Sequence, residues 1–148
     1  MNVMLDECVT EGPALALISF FSTDDPPIRG EFQPTYFQTS GLKDEVWPIR
    51  MVNELGKDWL VITGDRDSRR KSREKRIIDG APLYTILPKL GITAVYLSNA
   101  LCRQKGQERV RAITYLWPDI KKFYHNNIPG SRAGVQCLNR TFVLRPNY

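Results

Sequence analysis

The chain has 148 residues, 42% of them hydrophobic and 25% charged, so it can bury the core of one domain and is not globally disordered. Its formal charge of +5 favours polyanionic partners, and its longest apolar run, residues 14–21, is too short to cross a bilayer, which excludes a membrane span. Three dispersed cysteines (Cys8, Cys102 and Cys137) and an acidic N-terminal segment fit neither a disulfide framework nor a secretory leader, and point to reduced, structural thiols in a cytoplasmic chain.

In chain order, "NVML" at 2–5 predicts a short buried strand that ends on Asp6. Gly12-Pro13 opens an apolar helix, since proline at a first helical position loses no hydrogen bond. Residues 22–31 read as a loop from their Pro, Gly and Asp content. The β-branched and aromatic "TYFQT" at 35–39 predicts a second strand. Val46, Ile49, Val52 and Leu55 recur at helical spacing, with Pro48 in the first turn, so this helix is expected to start near Asp44. "WLVIT" at 59–63 is a continuous apolar run of the kind a central parallel strand shows. A helical segment spans about 73–90, punctuated by Gly80, Pro82 and Pro88, and "ITAVYLS" at 92–98 predicts another buried strand. The amphipathic stretch from Gln107 to Asn127 predicts a long helix that Pro118 kinks or splits. "GVQCLNRTFVLRP" ends the pattern as late strands, with a hairpin around Asn139-Arg140. Strands alternating with helices predict an α/β fold: a three-layer α/β/α sandwich with a mainly parallel central sheet. Residues 1–148 read as a single domain, with 126–148 as its C-terminal strand or hairpin extension.

In such a sheet the ligand site lies beyond the carboxyl ends of the strands. Asp6 and Glu7 follow the first strand, Asp65 and Asp67 follow "WLVIT", and Asp44 and Glu45 open the helix that feeds it. Taken singly, these acids are turn formers or helix caps. Converging on one edge they repel one another, and a cation relieves that repulsion. Hard oxygen donors without histidine or thiolate suit Mg2+ or Mn2+. Directly after the acids come Arg66, Arg69, Arg70, Lys71, Arg73, Lys75 and Arg76. Such a run beside a metal site suits a phosphodiester backbone, with basic groups on the flanking phosphates. Lys105, Arg109 and Arg111 are expected to widen that surface. The single histidine, His125, lies in a polar helix end, and Trp47, Trp59 and Trp117 lie on apolar patterns expected in the core. No Ser-His or Cys-His pair, Walker A loop or GxGxxG can be assembled.

"MNVMLDECV" at 1–9, "GLKDEVW" at 41–47 and "WLVITGDRDSRRKSREKR" at 59–76, with "GITAVYLS" at 91–98 following in order, resemble the PIN-like ribonucleases, specifically the VapC-type toxin branch. The resemblance spans roughly residues 1–125. It implies a metal-dependent endoribonuclease, a hydrolase of RNA phosphodiester bonds and the toxin of a toxin–antitoxin pair. Asp6, Asp44, Asp65 and Asp67 would be the Mg2+ or Mn2+ ligands, with Glu45 competing for the fourth place and Thr63 orienting the carboxylates. Arg66 to Arg76 would bind RNA. A cognate antitoxin protein and a homodimer follow from the same resemblance. The chain departs from the family's pattern at residues 24–34, where the connection before the second strand is longer, and in its unsettled fourth carboxylate.

Two other readings compete. A PIN-like domain could bind RNA or a protein without cutting. A phosphoacceptor receiver domain also places acids after its first and third strands, but would leave Asp44 and the arginine cluster without a purpose.

Overall fold

The computed structural model describes residues 1–64 and 83–147. Its strands are β1 (Asn2–Leu5), β2 (Gly30–Phe32), β3 (Trp59–Thr63), β4 (Thr93–Leu97), β5 (Arg132–Leu138) and β6 (Thr141–Pro146). They form one sheet in the order β2-β1-β3-β4-β5-β6. All neighbours pair in parallel except β5 and β6, which are antiparallel. The helices are α1 (Glu11–Ser22), α2 (Gln33–Tyr36), α3 (Trp47–Leu55), α4 (Leu83–Lys89), α5 (Asn99–Cys102) and α6 (Gly106–Asn126), with a 3-10 turn at Glu7–Val9. This is the α/β architecture expected from the alternating pattern.

Strand side chains alternate between two cores, because successive residues point to opposite faces of a sheet. Val3, Leu5, Leu60, Ile62, Val95 and Leu97 join α1 and α6 on one face. Met4, Trp59, Val61, Ala94 and Tyr96 join Trp47 and Met51 of α3 and Leu83 and Leu87 of α4 on the other. Every residue of β3 and β4 is buried, as expected for strands covered on both sides. Each buried Val, Leu or Ile among them contributes about 1.5–3 kcal/mol by leaving water. Trp47, Trp59 and Trp117 are all core residues, and Trp117 stacks on Phe21 at 4.4 Å between ring centres.

Three elements depart from the sequence-based expectation. The second strand is Gly30–Phe32, and residues 35 and 36 of the strand expected at 35–39 lie instead in helix α2 (Gln33–Tyr36). Pro34 in the first turn of α2 provides the helical φ, while the free edge of β1 recruits the short strand before it. Gly30 suits that close approach, since a Cβ there would sit 3.0 Å from Ile18 and 3.1 Å from Phe21. Helix α3 begins at Trp47, not near Asp44; Val46 and Trp47 donate to the Lys43 carbonyl in a turn that precedes it. Helix α6 runs unbroken through Pro118. That residue is exposed, so the carbonyl it leaves unbonded can turn to water. The expected hairpin is present: Asn139 and Arg140 both have positive φ, 48° and 64°, the twist a two-residue turn needs. No helix among the described residues is long and apolar enough to cross a membrane.

Candidate functional site

The strand order reverses at β1. The chain lays β2 on one edge of β1, then returns to place β3 on the other. A crevice opens beyond the carboxyl ends of strands at such a reversal, where the two connections leave in opposite directions. Asp6 and Thr63 lie at that point. Leu5 pairs with Ile62, and the Asp6 amide continues the ladder by donating to the Ile62 carbonyl at 3.0 Å.

The Asp6 carboxylate is held on both oxygens. Oδ1 accepts from the Glu7 amide at 2.7 Å, and Oδ2 accepts from the Thr63 hydroxyl at 2.7 Å and from the Cys8 thiol at 3.0 Å. Asp6 is 6% exposed and Thr63 fully buried. Hydrogen bonds to an ionised group are the strong kind, and here they fix the carboxylate's orientation. The strand alternation that puts Met4 and Val61 in the second core carries on through Asp6 and Thr63, which face the α3 side of the sheet.

Cys8 links the ends of the two strands. Its sulfur donates to Asp6 and accepts from the Gly64 amide at 2.7 Å. Burial, and after it the Asp6 charge, push the thiol well above its usual range, so it keeps its proton at neutral pH. The sulfur is a donor to Asp6 in this arrangement. Gly64 is close-packed beneath two thiols: a Cβ on it would lie 2.5 Å from the Cys102 sulfur and 3.4 Å from that of Cys8.

Asp44 and Glu45 are half-buried in the turn before α3. A helix that precedes a parallel strand starts toward the strands' carboxyl ends, so the turn that carries both acids lies at that end of the sheet. The loop is tied to that edge by the Gly41 amide, which donates to Glu7 Oε2 at 2.9 Å. Asp65, Asp67, Arg66, Arg69, Arg70, Lys71, Arg73, Lys75 and Arg76 lie outside the described residues. Among the described residues no three His, Cys, Asp or Glu side chains gather into a metal-holding group. Asp6 brings hard carboxylate oxygens to this edge, the donor type that Mg2+ or Mn2+ takes.

Of the basic residues expected to widen the surface, Arg109 does other work, whereas Arg111 is exposed as expected. Arg109 is 6% exposed and donates to the carbonyls of Val9, Cys102 and Gln104 and to the Thr10 hydroxyl, joining the start of α1 to the loop before α6. Arg111 pairs with Glu108 on the surface of α6. His125 is exposed at the end of α6.

Two polar residues at the edge were not singled out as functional from the sequence. From the sequence Cys8 reads as structural, and only its position two residues after the strand-ending acid hints otherwise. Gln33 follows Phe32, the partner of Leu5, at the carboxyl end of β2. No family model, curated protein or solved structure matches the chain.

Proposed function

We propose that this chain is a metal-dependent endoribonuclease that hydrolyses RNA phosphodiester bonds at the carboxyl edge of β1 and β3. The observation that carries the reading is the buried Asp6–Thr63 pair, a carboxylate fixed in orientation at the point where the strand order reverses. A buried carboxylate costs several kcal/mol of lost hydration unless its environment compensates, and a solvated turn would have served structure alone. The seven basic residues between 66 and 76 follow this edge in sequence and supply the charge a phosphate backbone requires.

Asp6, with Asp44 and the sequence-adjacent Asp65 and Asp67, would hold Mg2+ or Mn2+, and Glu45 is the other candidate for the fourth place. When bound, the ion supplies a nucleophile at neutral pH and charge stabilisation at phosphorus. Thr63 and Cys8 keep the Asp6 oxygens oriented, and Arg66, Arg69, Arg70, Lys71, Arg73, Lys75 and Arg76 hold the flanking phosphates. The role of toxin, with an antitoxin protein as partner and a homodimer as the working form, extends this reading through the resemblance to VapC-type proteins.

The test is incubation of the purified protein with a mixed RNA pool in Mg2+, Mn2+ or EDTA, with Asp6→Asn alongside. Discrete fragments that need the metal and vanish in the variant are the expected result. Intact RNA from folded protein under every metal condition would refute cleavage and favour a domain that binds without cutting.

A further inference from the structure

Gln33 is the first residue of α2, 1% exposed, and its Nε2 is buried without a hydrogen-bond partner. A buried amide N–H left unpaired costs about 1–3 kcal/mol, and an apolar side chain of equal length would avoid that cost. Its place in the fold gives the cost a purpose. Leu5 and Phe32 form the last pair of the β1–β2 ladder, and Asp6 and Gln33 are the residues that follow them. Phe32 and Leu5 both enter the α1 core. The Phe37 amide donates to the Gln33 carbonyl, which sets the two residues one helical turn apart, and Phe37 lies in the second core. Gln33, Asp6 and Thr63 thus stand at the carboxyl ends of the adjacent strands β2, β1 and β3. Asp6 and Thr63 satisfy each other; the Gln33 amide bonds to neither.

We infer that Gln33 is a substrate-binding residue, its amide N–H2 donating to a phosphodiester oxygen of RNA bound beside Asp6, an inference that rests on the nuclease reading. An amide is suited to this place because it donates without adding charge next to a carboxylate site that repels phosphate. A donor kept out of water is also worth more to an anionic oxygen than the same donor in solvent, and needs no dehydration when the substrate arrives. Seating requires a turn of the terminal amide toward the edge.

The experiment compares wild type with Gln33→Met, and with Gln33→Leu as a second apolar variant. Urea unfolding gives stability, and fluorescence anisotropy with a short single-stranded RNA in EDTA gives affinity. The expected result is RNA binding weakened about tenfold, with an unfolding midpoint equal to or above that of wild type. Unchanged RNA affinity in a protein that still cuts RNA would overturn the role of Gln33 and leave the nuclease standing. A lowered midpoint, or failure of both variants to fold, would make Gln33 a structural residue and overturn it too. A wild-type protein that neither binds nor cuts RNA would refute the nuclease reading, and the inference with it.

Discussion

The two ends of the sheet treat their acids differently. At the amino end of the strands, Asp58 accepts from the amino group of Met1 at 2.9 Å and from the Tyr124 hydroxyl at 2.8 Å. Nearby, Asp24 takes Lys121 at 2.9 Å and the Trp117 indole at 2.8 Å. These carboxylates meet cations and brace α6 against the sheet. At the carboxyl end, Asp6 is gripped by a hydroxyl, a thiol and a backbone amide. Cationic partners offset an acid's charge, whereas these neutral donors fix the direction of its oxygens.

The comparison breaks first at Asp6. Asp6→Asn is expected to reduce metal-dependent RNA cleavage at least about 100-fold, near 2.7 kcal/mol of transition-state stabilisation, while Asp58→Asn changes it less than about twofold. Gel assays of both variants at equal protein concentration check the contrast; equal losses would erase the distinction between the two ends. Next comes Gly64→Ala, whose Cβ would meet the Cys102 sulfur at 2.5 Å. It should destabilise the protein by about 1–3 kcal/mol in urea unfolding, and an unchanged midpoint would show the edge to be loosely packed.

Thr63→Val keeps the shape of the buried side chain and deletes one donor to Asp6. A loss of about 1–2 kcal/mol in stability, with cleavage reduced about tenfold, is the expected pairing. Full cleavage activity in this variant would separate Asp6 orientation from catalysis. The smallest effect belongs to Lys121→Met, at most about 1 kcal/mol, because the pair is partly exposed. Hydrogen bonds from Lys121 and then Trp117 hold the Asp24 carboxyl below its ordinary value of 3.8. A lowered folded value means stability that is present above the unfolded value and lost as pH falls through the folded one. The gap between wild type and Lys121→Met should therefore persist at neutral pH and close below about pH 4, as thermal melts across the acid range would show.

Legibility in the sequence followed the degree of burial. The runs at 2–5, 59–63 and 92–98 became β1, β3 and β4 because strands covered on both faces write their environment as continuous apolar sequence. Short β2 escaped, since "GEF" has little pattern and its pairing comes from β1. The aromatic residues Tyr36 and Phe37, taken as strand formers, pack beside the second core from a helical turn. That displacement also hid Gln33, whose meaning depends on its place at the carboxyl end of β2. Asp6 was legible because an acid ending an apolar strand is a local signal. The part of Cys8 was not, and that of Thr63 came only through the family resemblance, since these contacts reach Asp6 from 2 and 57 positions away through a tight turn and the sheet.

The place of β1 between β2 and β3 also orders events during synthesis. Both neighbours of the strand carrying Asp6 end by residue 63, so its two ladders can close before β4, β5 or β6 has been made. The later strands then add in sequence, each to the far edge of the last. The Asp6–Thr63 pair thus belongs to the earliest part of the sheet a growing chain can assemble, and the C-terminal hairpin is the last part to dock.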